Sequence, residues 1–340
     1  MAEWGAAVEG LGGVTGFWTT RRALVTGATG VIGSWLVKAL LAAGAQVVVL
    51  VWEPDERSEL YRSRAIRQVT LVSGALEDFW ALERAINRCE VDTVFHLGAQ
   101  TIVGTAYRFP LPTFEANIRG TYNVLEACRI HAHLVQRVVI ASSDKAYGDP
   151  PHLPYTEDMP MNGRHPYAVS KSCADLLAQA YHHTYGMPLA IARCGNVFGG
   201  GDLNWSRIVP GTIRSLLAKE RPIIRSDGTY VRDYIYVKDI ARAYMRLAER
   251  LDDDRVRGQA FNFSGEAPLT VRELVTLIQR LMNSLDIEPE IQNSARAEIR
   301  SQHLSAAKAR EVLGWEPGCD LETGLRETIA WYRAFLEADS

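Results

Sequence analysis

Short apolar runs alternate along the chain with stretches in which apolar residues recur every three or four positions. Runs of strand length fall at Ala23 to Thr26, Gln46 to Val51, Val69 to Val72, Thr93 to Leu97, Arg137 to Ser142 and Leu189 to Arg193. Between them, Ile32 to Ala43, Phe79 to Arg88, Phe114 to His131 and Tyr167 to Tyr185 carry the helical period. Parallel strands need crossover connections, so this alternation predicts an α/β fold, a doubly wound parallel sheet of Rossmann type with helices on both faces. After about residue 196 the regularity lapses: Gly199-Gly200-Gly201 precedes a helix near Ile208 to Leu217 and a short strand around Ile223, where a smaller C-terminal lobe begins. Tyr234 to Arg250 reads as a strand end and a helix returning to the first domain, and Leu269 to Met282 and Ser305 to Leu313 as further helices. The expected division is interleaved, with residues 1–195 and about 234–262 in the sheet domain and about 196–233 and 263–340 in the lobe.

Composition narrows the function classes. With 340 residues, 47% of them hydrophobic, the chain can bury a large core without staples. Thirty-seven Lys plus Arg against 40 Asp plus Glu leave a net charge of −3, which marks neither a nucleic-acid binder nor a membrane-surface protein. No run of about 18 uncharged apolar residues occurs, so no membrane span is expected. The five cysteines are odd in number and lack a CxxC pair, and the first twenty residues lack a basic start followed by an apolar core. The expectation is therefore a reducing, cytoplasmic setting, with the sequons at Asn204 and Asn262 as chance matches. His96, His165, His182 and His183 show no metal-ligand spacing, so no metal is expected, and the last two read as surface residues of a helix. Neither a Ser-His-Asp order nor a G-x-S-x-G supports a hydrolase.

Chemistry enters at Gly27-Ala-Thr29-Gly30-Val31-Ile32-Gly33, which runs from the first strand into the first helix. The first glycine permits a tight turn, the second lets backbone approach a pyrophosphate, and the third allows close helix packing. The spacing is GxxGxxG, and three glycines also suit a plain turn; their place in a βαβ pattern favours a dinucleotide site. Glu53, twenty residues beyond Gly33, can accept hydrogen bonds from the adenosine ribose and repel a 2′-phosphate, favouring NAD over NADP. A solvated loop acid is the plain alternative, and Arg57 offers a phosphate partner if NADP is the cofactor.

Tyr167-Ala-Val-Ser-Lys171 opens a helical pattern, so the phenol and the ammonium share one face. The lysine charge is expected to lower the phenol pKa and let Tyr167 exchange a proton with a substrate hydroxyl, while Lys171 also reaches a nicotinamide ribose. YxxxK alone is common on exposed helices; the glycine loop upstream gives it meaning. Ser143-Asp144-Lys145 runs off a strand end, where doubly wound folds place reacting groups. Ser143 can bond the reacting hydroxyl, and Asp144 with Lys145 adds an acid/base pair beyond what hydride transfer needs. The alternative is an ordinary charged turn.

With these residues in hand, the chain resembles the extended short-chain dehydrogenase/reductases that modify nucleotide-sugars. His96-Leu97-Gly98-Ala99, Asn117-Ile-Arg-Gly-Thr-Tyr-Asn123, Arg193-Cys-Gly-Asn196 and Arg232-Asp-Tyr-Ile-Tyr-Val-Lys-Asp239 carry the resemblance over nearly the full length. Phe17-Trp18, Gly33-Ser-Trp-Leu36, Ala99-Gln100, Ser143-Asp144-Lys145 and Gly200-Gly-Asp-Leu-Asn-Trp-Ser-Arg-Ile-Val-Pro210 are similar to CDP-glucose 4,6-dehydratases, although the glycine loop and the Arg232 segment depart from their pattern, and Ala75 replaces an Asp that contacts adenine in many relatives.

The resemblance implies an NAD-dependent nucleotide-sugar 4,6-dehydratase, with a 4-epimerase as the rival and a non-catalytic nucleotide-binding protein as the rival from another class. It implies Ser143, Asp144, Lys145, Tyr167 and Lys171 as catalytic residues. Gly27, Thr29, Gly30, Val31, Ile32, Gly33, Glu53, Leu97, Ala99, Tyr167 and Lys171 would then lie along the cofactor. Asn196, Arg207 and Arg232, with Arg300 behind them, are the candidates for the nucleotide diphosphate, which needs amide donors and guanidinium forks. A homodimer through the helices Phe114 to His131 and Tyr167 to Tyr185 is also implied; Leu125, Leu177 and Tyr181 on these helices suit either such a contact or the core.

Overall fold

A computed structural model describes residues 16–294 and 299–338; the start of the chain, on which the absence of a leader was read, lies partly outside them. Six strands follow the apolar runs closely: β1 (Arg22–Thr26), β2 (Gln46–Val51), β3 (Thr70–Ser73), β4 (Thr93–His96), β5 (Arg137–Ser143) and β6 (Leu189–Cys194). A seventh, Ala260–Phe263, comes from beyond the lobe segment and pairs in parallel with β6. The spatial order is Ala260–Phe263, β6, β5, β4, β1, β2, β3, all parallel. The order in which successive strands are added reverses between β1 and β4, and at such a switch point the loops leaving the strands part to form a crevice.

Both faces are covered, as the near-continuous apolar strands require. One core joins Val25, Val49 and Phe95 to the helices Val31–Ala42 and Val237–Glu249 and continues without a break into lobe residues such as Ile213, Leu274 and Tyr332. The other joins Leu24, Val48 and Ile140 to Phe79–Arg88, Gly120–Ile130 and Ala178 of the long helix Pro166–Tyr185. The helix expected over Phe114 to His131 begins earlier, at Pro110, and contains a wide π-turn at Glu115–Arg119. Such turns break the regular ladder and commonly sit at functional sites. The expected helix over Ser305 to Leu313 reduces to a short π-turn at Ala309–Leu313.

Several expected surface residues are buried or packed. Leu125 is wholly buried, and Leu177 and Tyr181 are half-buried against the second core, so of the two expected roles the packing gives all three the core one. His182 is half-buried, its Nδ1 2.9 Å from the Met187 carbonyl, and its ring fills the space where Gly258 has no side chain. Asn262 is fully buried with its amide on the Tyr155 carbonyl at 3.0 Å, so the folded chain cannot present that sequon. All five cysteines are free thiols. Among the described residues no helix is long and apolar enough to cross a membrane.

Candidate active site

The glycine loop leaves β1 beside the switch point. Gly27 has φ +72, and a side chain there would strike the Gly98 nitrogen at 2.7 Å, so the turn also lets the loop lie against the end of β4. A side chain at Gly33 would come within 2.1 Å of the Gly27 carbonyl, so the helix packs on the loop itself. Gly30 caps that helix without a side-chain hydrogen bond, so the first-turn N–H groups of Val31, Ile32 and Gly33 have no side-chain cap. Thr29 lies in this turn, and Leu97 and Ala99 follow β4 on the other side of the switch point. Glu53 follows β2 and is exposed, while the Arg57 guanidinium is 3.6 Å from Asp55.

Beneath the loop, His96 is clamped between Thr26 Oγ1 at 2.8 Å and Thr121 Oγ1 at 3.0 Å. Burial, with the nearby Lys171 charge, draws its pKa down to about 3. It is therefore a neutral peg tying β1, β4 and the Gly120–Ile130 helix.

The end of β5 carries Ser143. Its hydroxyl donates to Asp144 Oδ1 at 2.9 Å, and the same carboxylate oxygen accepts Lys145 Nζ at 3.0 Å. Asp144 is buried, whereas the Lys145 side chain is a quarter exposed. Lys145 Nζ also donates to Asn196 Oδ1 at 3.3 Å, and the Asn196 amide donates to the Asp233 carbonyl at 3.2 Å. Asn196, read as a diphosphate donor, thus spends both ends of its side chain on protein partners in the Lys145 network.

Tyr167 enters from the first turn of the Pro166–Tyr185 helix and bonds to Ser143. Burial pushes its phenol up to about 12, and the charge that favours its ionisation is Arg207. This corrects the expectation that Lys171 lowers the phenol: Lys171 Nζ donates instead to the Ala141 carbonyl at 2.9 Å, and burial draws the ammonium down to about 8. Arg207 itself reaches from the segment after the triple glycine to the loop after β4. Its Nη1 is 2.9 Å from Asp202 Oδ2 and its Nη2 is 3.2 Å from Thr101 Oγ1. Arg232 lies in the lobe, its guanidinium over the Tyr230 ring and on the Val231 and Arg300 carbonyls. Arg300 is exposed and bonds to Thr229, so the structure brings it beside Arg232 and not to Tyr167.

Four residues without an assigned role in the sequence belong to this neighbourhood. Asn117, in the π-turn, holds the Gln100 backbone with Oδ1 at 2.7 Å and Nδ2 at 3.0 Å and donates to Ser170 Oγ at 2.9 Å, locking the loop after β4 to the Tyr167 helix. Its motif was visible; its role was not. Asp233 is buried, bonded by Ser264 and close to Asp144, and burial pushes its pKa up to about 6. Thr101 and Asp202 meet only through Arg207, a contact that no local pattern signals. Among the described residues no group of three His, Cys, Asp or Glu side chains is placed to hold a metal ion.

A seven-stranded parallel sheet with a glycine turn at its switch point and a Ser143, Tyr167 and Lys171 constellation defines an extended short-chain dehydrogenase/reductase. Within that class the chain belongs to the family described as GDP-mannose 4,6 dehydratase, whose model it matches over residues 24–328. It is 30% identical over 284 residues to the CDP-glucose 4,6-dehydratase of Salmonella typhimurium, covering 78% of this chain and 77% of that protein. Among solved structures, it superposes on the UDP-glucose 4-epimerase of Thermotoga maritima, crystallised with UDP-glucose, with a TM-score of 0.84 at 28% identity, covering 93% and 99% of the two chains. It superposes equally on the dTDP-glucose 4,6-dehydratase of Streptomyces venezuelae, crystallised with NAD, with a TM-score of 0.83 at 28% identity, covering 92% and 97%.

Proposed function

We propose that the protein is an NAD-dependent nucleotide-sugar 4,6-dehydratase, and the observation that carries this reading is the Ser143, Asp144 and Lys145 cluster bonded together beside Tyr167. The fold suits the cofactor: the crowded glycines and the uncapped helix start leave bare backbone N–H groups for a pyrophosphate. Gly27, Thr29, Gly30, Val31, Ile32 and Gly33 would hold that group, Glu53 the adenosine ribose, and Leu97, Ala99, Tyr167 and Lys171 the nicotinamide half. NAD held there would supply a hydride acceptor for oxidation at carbon 4 of the sugar and a hydride donor for carbon 6.

Tyr167 takes the proton of the carbon 4 hydroxyl, which Ser143 orients. The resulting ketone acidifies the proton on carbon 5, and Asp144 and Lys145 share its removal and the protonation of the departing carbon 6 hydroxyl. Arg232 and Arg300 serve the diphosphate, with Arg207 at its sugar end, while Asn196 orients Lys145. Incubation with CDP-, UDP-, GDP- and dTDP-sugars in deuterated water tests the reading by mass. A product lighter by one water, with solvent deuterium on carbon 5, is expected; an isomer without that deuterium would assign an epimerase instead, a reaction that Tyr167 alone can serve.

Glu53 predicts tighter binding of NAD than of NADP, read by fluorescence titration of both. The reverse order would transfer the ribose role to Arg57. A homodimer belongs to the same proposal, through the packed helices from Val103 to Ile130 and Pro166–Tyr185, which leave Tyr107, Leu111, Tyr122, Ile130 and Leu176 exposed, with Phe109 exposed between the first two. Light scattering should give twice the chain mass, and Leu111→Arg with Leu176→Arg should halve it; a wild-type monomer at micromolar concentration contradicts the dimer.

A further inference from the structure

We propose that Asp202 is a positioning residue whose carboxylate holds the Arg207 guanidinium against the loop after β4, the loop that Asn117 ties to the Tyr167 helix. The inference rests on the reading of Tyr167 as the proton-transfer group. Asp202 is buried, with a relative exposure of 5%, and both carboxylate oxygens are used: Oδ1 accepts the Asn204 backbone N–H at 3.1 Å and Oδ2 accepts Arg207 Nη1 at 2.9 Å. The guanidinium then spans to Thr101 Oγ1 at 3.2 Å, crossing from the lobe to the loop after β4. A charge-assisted bond to a fixed carboxylate determines where that long side chain points, which a flexible arginine by itself does not.

The backbone bearing Asp202 is itself held from both ends of the sequence. Trp35 Nε1, from the first long helix, donates to the Gly200 carbonyl at 2.8 Å, and the Tyr332 hydroxyl, from the last helix, donates to the Asp202 carbonyl at 2.6 Å. Gly201, at φ +90, lies against the Glu59 side chain, whose carboxylate accepts Trp331 Nε1 at 2.7 Å. Gly200 is pressed against the Trp331 ring so closely that a side chain would come within 2.3 Å of it. The triple glycine thus lets two tryptophans and a tyrosine grip the loop, and Asp202 transmits that rigidity to Arg207.

The test compares Asp202→Asn, Arg207→Lys and the double variant, all loaded with NAD. In Asp202→Asn, phenylglyoxal should modify Arg207 about tenfold faster, read by peptide mass, because a charge-assisted bond of that order is lost. With the sugar nucleotide that the product assay identifies, kcat should fall about tenfold with KM little changed, and adding Asp202→Asn to Arg207→Lys should cost nothing more. Equal losses in both backgrounds would make Asp202 a loop-holding residue and overturn the proposal, as would an unchanged reactivity of Arg207. If no sugar nucleotide is turned over, the catalytic reading fails, and the phenylglyoxal rate still decides whether Asp202 holds Arg207.

Discussion

Tyr167→Phe is expected to suppress the first formation of NADH on mixing the NAD-loaded protein with its sugar nucleotide by about 100- to 10,000-fold, the usual cost of one acid/base group. The phenol is buried, and the substitution removes only an oxygen, so the helix Pro166–Tyr185 and the second core keep their packing. Burial holds the phenol at about 12, so the wild-type rate should climb as pH rises above neutrality, while the residual rate of the variant should lack that climb. Absorbance at 340 nm in a stopped flow reads both. Near wild-type rates in the variant would remove Tyr167 from the chemistry and, with it, the proposed use of Ser143.

Asp144→Asn and Lys145→Met are expected to separate oxidation from elimination. Both leave Tyr167 in place, so NADH should still appear, whereas loss of water should slow by about 100- to 10,000-fold in at least one of them. The carboxylate oxygen that accepts both Ser143 and Lys145 makes the two side chains one unit, so the double variant should be little worse than the poorer single one. Asp144→Asn keeps an oxygen for both bonds and guards against simple collapse of the site; melting curves check this. Unaltered water loss in both variants would remove the pair from catalysis, and an isomerised product would assign it to orientation in an epimerase.

Much of the architecture was legible because its causes are local. Six strands lie within a residue or two of the apolar runs, since a strand buried on both faces has to be apolar throughout. The glycine turn, Ser143 and the Tyr167, Lys171 spacing were visible as well, because each depends on neighbours a few residues away. The wide turn at Glu115–Arg119 was not, since it follows from Asn117 reaching Gln100 and Ser170, and the apolar residues of Tyr167 to Tyr185 could not reveal which of them face the core.

The sequence by itself determined the alternation of strands and helices, the sheet class, the glycine turn and the chemical types gathered at strand ends, because periodicity and short spacings act within one turn or one strand. Only the tertiary structure decided how those groups are paired. Lys171 turned to the Ala141 carbonyl, and Arg207 became the charge that favours ionisation of Tyr167; Asn196 went to Lys145, and Asp202 to Arg207. The physical reason is that a buried polar side chain must find a partner wherever the packing of distant segments offers one, and desolvation then shifts its proton affinity by more than its sequence neighbours do.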